Sequence, residues 1–297
     1  MAAFITQANE ASQKKREKQS RFKGTVKRLF KNKGALAGLV VITIIILLSL
    51  LAPIIAPYGY AEIDIPNKFS PPSREHLFGT DSMGRDILSR ILYGGRFSLQ
   101  IGILASGSAV IISIVLGSIA GYFGGRVDNI MMRALDVIQA IPGLLLSVAL
   151  SAVLGTGLYE TIVALAIGNL STCTRILRGS VLTVRKAEYI DSAVADNTGS
   201  FGIIRKHILP NSISPLIVQA TMGCARVILV AASLSFIGLG VQPPDPEWGA
   251  MLTAGRSYIR DYPYLVMFPG MAIALTVLSL NLLGDGLRDA LDPKHKR

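Results

Sequence analysis

The chain has 297 residues, of which 51% are hydrophobic, and its mean hydropathy is +0.48. A soluble domain of this length does not need so much apolar surface, so the composition predicts an all-α, polytopic membrane protein. Thirty Lys and Arg residues against 19 Asp and Glu give a net charge of +11. Because the positive residues gather between the apolar stretches, they indicate membrane topology rather than nucleic-acid binding.

Residues 1–33 are polar and strongly basic. They predict a cytoplasmic N-terminal tail that sets the topology and contacts anionic lipid headgroups. The uncharged run 34–56 follows, and it is longer than the about 20 residues that a membrane-spanning helix needs. We therefore expect a first transmembrane helix over 34–56, with the N-terminus in the cytoplasm.

Residues 57–96 are then expected on the extracytoplasmic side. This segment holds four prolines and charges of both signs. Apolar residues recur at helical spacing between Asp86 and Tyr93, which predicts a short helix lying in the outer membrane interface.

Five further helices are predicted over residues 97–284, which also contain a cytoplasmic loop at 186–212. The predicted spans are 97–123, 137–159, 161–182, 215–239 and 262–283, with a short cytoplasmic loop at 124–136. Pro142-Gly143 interrupts the span 137–159, so a kink is expected there. Residues 285–297 are expected to form a cytoplasmic C-terminal tail, and six spans place both termini inside.

Two predicted spans contain arginines. The uncharged part of the span 161–182, residues 161–174, amounts to about 21 Å of helix, less than the about 30 Å hydrocarbon core. Arg175 and Arg178 are therefore expected to reach the inner interface or to face the bundle. Arg226 lies near the middle of the span 215–239, where a charge costs about 2.5–3.5 kcal/mol on insertion scales. Cys173 and Cys224 also lie in spans, without a C-x-x-C pattern, and are predicted to be packing residues.

The longest polar interval between apolar segments of the C-terminal half is 188–211, EYIDSAVADNTGSFGIIRKHILPN. Its first part predicts a short amphipathic helix with Ile190, Ala193 and Val194 on one face. Asn197 begins a predicted turn, since Asn and Gly tolerate positive φ.

A second short helix is predicted after this turn. Ser200 is expected to cap it, with Phe201, Ile204 and Ile208 on one side, and Pro210 is expected to end it. Apolar faces on such a pair of helices pack either on the chain's own bundle or on a cytoplasmic partner.

The stretch resembles the loop of ATP-binding-cassette importer permeases, written E-A-A-x3-G-x9-I-x-L-P, which inserts into a cleft on the ATPase subunit. Aligned on Leu209-Pro210, the E-A-A falls on Asp191-Ser192-Ala193, the Gly on Asn197 and the Ile on His207. Asn keeps the turn chemistry, and His at this position is the common variant in peptide permeases. The resemblance implies ATPase-coupling roles for Asp191, Ser192, Ala193, Asn197, Phe201, His207, Leu209 and Pro210.

Other stretches are similar to dipeptide/oligopeptide permeases of the same class. They are GTDSMGRD at 79–86, GYFGGRVDNIMMRALDVIQAIPGLLL at 121–146, SLSFIGLGVQPPDPEWGAML at 233–252 and NLLGDGLRDALDP at 281–293. The resemblance covers nearly all of residues 34–297. It implies a type I ATP-binding-cassette importer permease fold in a bacterial or archaeal cell membrane, moving dipeptides or oligopeptides by alternating access.

The resemblance also implies partners. These are a second permease subunit, two cytoplasmic ATP-binding subunits, an extracytoplasmic peptide-binding protein and membrane lipid, with no nucleic acid. ATP and Mg²⁺ would be bound by the ATPases, so this chain is expected to be no enzyme and to hold no cofactor or metal. Consistently, the sequence contains no G-x-x-x-x-G-K-[ST], no G-x-S-x-G and no H-E-x-x-H.

Some alternatives stay open. Arg226 forms either an interhelical salt bridge or carbonyl clamp, or part of the translocation path, where it would attract a peptide carboxylate; Gln219 is a second candidate path residue. Nickel chelates or glutathione are alternative substrates of the same importer class. A secondary transporter would show ion-coupling carboxylates in mid-membrane, and none is visible. A membrane anchor would explain the basic tail but not the loop.

Overall fold

The computed structural model describes Gly24 and residues 26–291. Predictions for residues 1–23 and 292–297, in the two basic tails, lie outside these described residues. The predicted all-α fold is confirmed. The described part contains helices and loops but no strand, apart from an isolated bridge between Thr80 and Asp86.

The described chain consists of long helices, several helices of one or two turns and connecting loops. In chain order the helices are α1 (Lys33–Leu50), α2 (Ala52–Ile55), α3 (Ile87–Phe123), α4 (Gly125–Gln139), α5 (Gly143–Leu154), α6 (Leu158–Val184), α7 (Glu188–Ala195), α8 (Ser200–Ile203), α9 (Leu209–Ser212), α10 (Ser214–Phe236), α11 (Trp248–Gly255) and α12 (Tyr264–Leu291). Single 3-10 turns occur at Ile65–Asn67 and Arg256–Tyr258, and a π-helical turn at Ile204–Ile208.

Four helices, α1, α3, α10 and α12, are long and apolar enough to cross a membrane, and the bent pair α4–α5 would make a fifth span. The remaining predicted span, α6, has 27 residues, about 40 Å of helix, so its length suffices. Polar and charged side chains such as Asn169, Arg175 and Arg178 keep α6 out of this apolar group. Six spans and cytoplasmic termini therefore remain predictions.

Helix α3 changes the predicted boundary at the outer interface. Asp86 caps it by accepting a hydrogen bond from the backbone N–H of Ser89 at 2.7 Å, and the helix then runs for 37 residues. The separate interfacial helix expected at 86–93 is therefore wrong. Gly94 lies within α3 and does not end the helix. Its role is close packing, since a Cβ there would lie 2.0 Å from the carbonyl oxygen of Pro246.

Two other predicted boundaries differ from the structure. Residues 124–136, expected as a loop, form most of α4, whose polar residues had suggested irregular structure. The kink expected at Pro142 is a full break, since α4 and α5 meet at 83°. Pro142 lacks an N–H donor and has ψ 131°, so it caps α5 rather than continuing α4. At the C-terminal end, residues 285–291 continue α12 instead of beginning a tail.

Small residues allow the helices to pack closely. A Cβ on Gly38 of α1 would lie 2.5 Å from the carbonyl oxygen of Ser279 in α12, so these two helices meet backbone to backbone. Cys173 and Cys224 are buried free thiols, which confirms their predicted role as packing residues.

The segment before α3 packs against the beginning of α12. Phe69 stacks on Tyr262 with ring centroids 4.4 Å apart, and Phe78 stacks on Phe268 at 4.0 Å. The Tyr264 hydroxyl donates to the carbonyl oxygen of residue 70 at 3.2 Å. Residues 57–86 thus form a packed cap on one end of the bundle.

Candidate functional site

The segment 186–212 connects α6 to α10 and begins with the short helix α7. Asn197 follows α7 with φ +56°, so the predicted turn is confirmed. The Thr198 N–H donates to the Ala193 carbonyl at 3.2 Å, and the Asn197 N–H donates to the Val194 carbonyl at 3.0 Å. These bonds form a Schellman motif, whose left-handed residue is usually Gly and sometimes Asn. Asn in place of the motif's glycine therefore keeps the same helix end.

The second part of the segment differs from the prediction at both ends. Gly199 is the N-cap residue, and the Ser200 side chain makes no capping bond. The helical path does not end at Pro210, because a π-helical turn at Ile204–Ile208 leads into α9. There the Leu209 N–H donates to the carbonyl five residues earlier, which widens the backbone. The wider turn relieves the clash that a proline makes with the carbonyl four residues before it.

One face of the segment is buried against the chain's own helices. Its buried side chains form a cluster with others from α6 and α10, made of Ile190, Ala193, Ile203, Ile208, Leu177, Val181 and Leu216. Burial of each isoleucine stabilises this arrangement by about 1.5–3 kcal/mol. Of the two alternatives that the sequence leaves open, packing on the chain's own bundle therefore holds for Ile190, Ala193 and Ile208, and it fixes both short helices on α6 and α10.

The segment also exposes apolar side chains beside this buried face. The exposed fractions are 45% for Tyr189, 55% for Val194 and 75% for Phe201. The sequence predicts that Val194 and Phe201 share apolar faces with Ile190 and Ile208, which pack either on the bundle or on a partner, and the structure leaves both side chains exposed. In the second short helix Ile203 is buried instead, because the π-helical turn aligns it with Ile208, five residues later. Three exposed apolar side chains within one short segment make it a candidate contact surface for another protein.

The other predicted coupling residues differ in how far they are exposed. Asp191, Ser192, Asn197 and Pro210 are exposed, whereas His207 and Leu209 are half-buried and Ala193 is buried. Tyr189 was missed by the sequence reasoning. Its signal was an aromatic residue four positions before Ala193, at the edge of the apolar face of a short amphipathic helix.

Arg226 lies in the middle of α10 and forms no ion pair with another residue of the described chain. It also makes no hydrogen bond there, so the expected salt bridge or carbonyl clamp is not present within residues 26–291. Its side chain lines an open cavity of about 400 Å³ beside α6 and the α4–α5 break. Gln219 lines another cavity, of about 700 Å³, beside α6 and the end of α12. The structure thus places the two candidate path residues in different cavities.

The two arginines of α6 form ion pairs with α4. Arg178 donates two hydrogen bonds to the carboxylate of Asp128, which is buried, and Arg175 pairs with the half-exposed Asp136. The sequence reasoning expected these arginines to reach the interface or face the bundle. It missed their partners because 124–136 was interpreted as a loop, in which no helical face is defined.

Comparisons with known proteins agree along most of the chain. The family described as "Binding-protein-dependent transport system inner membrane component" matches residues 113–297. The family "N-terminal TM domain of oligopeptide transport permease C" matches residues 20–72. Together the two matches include the segment 186–212, both cavities and the first span.

Curated relatives are similar over nearly their full length. The dipeptide transport system permease protein DppC of Alkalihalophilus pseudofirmus is 48% identical over 91% of this chain and 89% of its own. The glutathione transport system permease protein GsiD of Pectobacterium atrosepticum is 44% identical over 91% and 90%. The oligopeptide transport system permease protein OppC of Bacillus subtilis is 38% identical over 98% and 95%.

A solved structure shares the fold. A chain of the MetNI methionine ABC transporter, in an inward-facing conformation, superposes with a TM-score of 0.57 at 17% identity. The likeness covers 68% of this chain and 97% of that chain. The predicted importer permease fold is thereby confirmed.

Proposed function

The chain belongs to the family of binding-protein-dependent transport system inner membrane components, and from this premise we propose that it is a permease subunit of an ATP-driven peptide importer. Family membership makes it a multi-pass protein of the inner membrane. The peptide substrate is supported by the relatives of 38–48% identity that are named dipeptide or oligopeptide permeases.

The observation that carries the coupling role is the partly buried, partly exposed segment 186–212. Its buried residues are fixed on α6 and α10, while Tyr189, Val194 and Phe201 beside them remain exposed. A cytoplasmic ATP-binding subunit that binds these exposed side chains can therefore move the two long helices α6 and α10. The Schellman turn at Asn197 keeps the two short helices at a fixed angle, so that the segment acts as a lever.

The proposed cycle is alternating access. ATP binding closes two cytoplasmic ATP-binding subunits and pulls the segment. This chain and a second permease subunit then rock about their interface and open the path outward. An extracytoplasmic binding protein delivers the peptide, and ATP hydrolysis restores the inward-facing state. Arg226 and Gln219 face the path, and this chain performs no chemistry on ATP.

Glutathione is the second candidate substrate, since the relative GsiD is 44% identical to this chain. Glutathione is itself a small peptide with free carboxylates, so the same path would admit it. Competition of unlabelled glutathione or dipeptide against uptake of a labelled dipeptide separates the two. Inhibition by glutathione at lower concentration than by dipeptide would favour the second candidate.

Site-specific cross-linking tests the partner assignment. The full chain is expressed with its operon partners and carries a photoreactive benzoylphenylalanine at position 201. We expect ultraviolet light to join it to an ATP-binding subunit, identified by mass spectrometry. The same probe at Ile111, which is 67% exposed on the long helix α3, is the control and should give no ATPase adduct. A position-201 probe that labels only lipid or the binding protein would contradict the proposed coupling.

A further inference from the structure

The two cavities beside α6 and α10 lie on the same faces of these helices. On α10 they are lined by residues that recur every three or four positions, namely Pro215, Val218, Gln219, Met222, Arg226 and Val230. On α6 the same spacing joins Asn169, Thr172, Ile176, Ser180 and Thr183. Positions spaced in this way lie on one face of a helix. The two cavities share no lining residue, but they follow one another along the same sides of α6 and α10, and we call the surface that holds both the α6–α10 groove.

The groove is long enough to conduct a solute through most of a membrane. From Pro215 to Val230 it follows α10 for about 22 Å, at 1.5 Å per residue, against a hydrocarbon core of about 30 Å. Along α10 the cavity at Gln219 ends at Met222, and the cavity at Arg226 begins one helical turn further on.

Hydrogen-bond donors without partners line the groove. Asn169 lines the cavity at Arg226 but is only 8% exposed, and its Nδ2, which has no partner among the described residues, lies against the buried Gly223 of α10. The buried Nε2 of Gln219 likewise has none. Arg226 adds a guanidinium without an ion pair, and no Asp or Glu of the described chain lines either cavity. Such a lining suits a solute that carries acceptors and a negative charge.

We infer that the α6–α10 groove is this chain's half of the transport path, and that Arg226 forms a station for the carboxylate of the transported solute. The inference rests on the proposed function and deepens it. An unpaired guanidinium in mid-span is costly, and a carboxylate held at that depth is bound by it more strongly than in water. A carboxylate supplied by the second permease subunit would need only one donor, at Arg226. The donors here extend along α10 to Gln219, nearly two helical turns from Arg226, which favours a solute that moves along the groove.

Accessibility of single cysteines tests the groove. Val218→Cys lies in it, whereas its neighbour Ile217, 42% exposed on the other side of α10, gives the matched control Ile217→Cys. The assembled complex in membrane vesicles is treated with charged methanethiosulfonates, which react only from water. The buried Cys173 and Cys224 of the unmodified chain set the background. We expect Val218→Cys to react at least about tenfold faster than Ile217→Cys. Equal rates would show that lipid or a partner fills the groove and would overturn the inference.

The charge of the station is tested with Thr172→Cys, which lines the cavity at Arg226. We expect an anionic sulfonate reagent to react faster there than a cationic trimethylammonium reagent. Arg226→Gln should lower that rate ratio by about threefold or more, and Arg226→Lys should restore it. An unchanged ratio would overturn the station. So would loss of the second permease subunit from the purified Arg226→Gln complex, because Arg226 would then pair with that subunit.

Uptake separates this inference from the proposed function. Vesicles with the unmodified chain should take up labelled Ala-Phe faster than its C-terminal amide, and Arg226→Gln should bring the two rates together. A difference that persists in Arg226→Gln would contradict a carboxylate station in this chain. Failure of the unmodified complex to take up either peptide would contradict the peptide function alone, while the labelling pattern would still decide the groove.

Discussion

Replacement of Phe201 by alanine separates coupling from folding. Phe201 is 75% exposed and belongs to no core cluster of the described chain, so its loss should change the stability of the isolated subunit by no more than about 0.5 kcal/mol. The ATP-binding subunit, in contrast, would lose its contact with the most exposed of the three apolar side chains.

The size of the effect follows from the area that remains free to be covered. A phenylalanine buries about 150–250 Å² in total, so a side chain three-quarters exposed retains roughly 110–190 Å². At about 25 cal/mol per Å² this amounts to roughly 3–5 kcal/mol as an upper limit. Aromatic anchors of interfaces commonly contribute 2 kcal/mol or more, and about 2 kcal/mol lowers affinity roughly 30-fold.

The measurement uses the purified complex in lipid nanodiscs. Binding-protein-stimulated ATPase activity, solute uptake and co-purification of the ATP-binding subunit are compared between Phe201→Ala and the unmodified chain. We expect all three to fall, while the melting temperature of the membrane subunit stays unchanged. Ile203→Ala is the contrasting control, since Ile203 is 1% exposed and its truncation should cost about 2–5 kcal/mol of stability. Wild-type stimulation and uptake in Phe201→Ala would refute the lever mechanism at this segment.

The remaining predictions concern contacts that hold the scaffold. In a double-mutant cycle, Asp128→Asn and Arg178→Gln should show coupling of about 1–3 kcal/mol by thermal unfolding, because Asp128 is buried and accepts two bonds from Arg178. Glu247→Ala should cost roughly 3 kcal/mol, since this buried carboxylate accepts from two serine hydroxyls and a backbone N–H at 2.8–3.0 Å. Gly94→Ala should destabilise α3, because its Cβ would meet a backbone carbonyl at 2.0 Å, whereas Gly107→Ala, with nothing within 4 Å, should be neutral or stabilising.

Each of these expectations has a contrary result. Strictly additive effects of Asp128→Asn and Arg178→Gln would show that the ion pair does not join α4 to α6. An unchanged melting temperature in Glu247→Ala would indicate that the serine hydroxyls find other partners. Equal effects of the two glycine substitutions would show that helix propensity, not the contact of α3 with the backbone at residue 246, determines the outcome.

The sequence by itself determined the fold class and the turn in the segment. Uncharged apolar runs of about 20 residues are far more stable as helices within a membrane than exposed to water, so the apolar helices follow from the sequence alone. Asn197 could be placed because a left-handed helix end restricts the residue type locally, without reference to distant parts of the chain. The resemblance to importer permeases singled out the segment, and the family match confirmed that resemblance, while the coupling role of the segment stays a proposal.

Only the tertiary structure decided which face of each element is used. Phe201 and Ile203 are both apolar residues of one short helix, and the π-helical turn together with the anchors on α6 selects Ile203 for burial. The pairing of Arg178 with Asp128 could be recognised only after residues 124–136 were seen to form a helix, because an ion pair between helices depends on which faces meet. The presence of Arg226 and Asn169 in the lining of the same cavity likewise depends on how α6 and α10 are packed. Periodicity gives the spacing within a helix, but the rotation of one helix against another is fixed by long-range contacts.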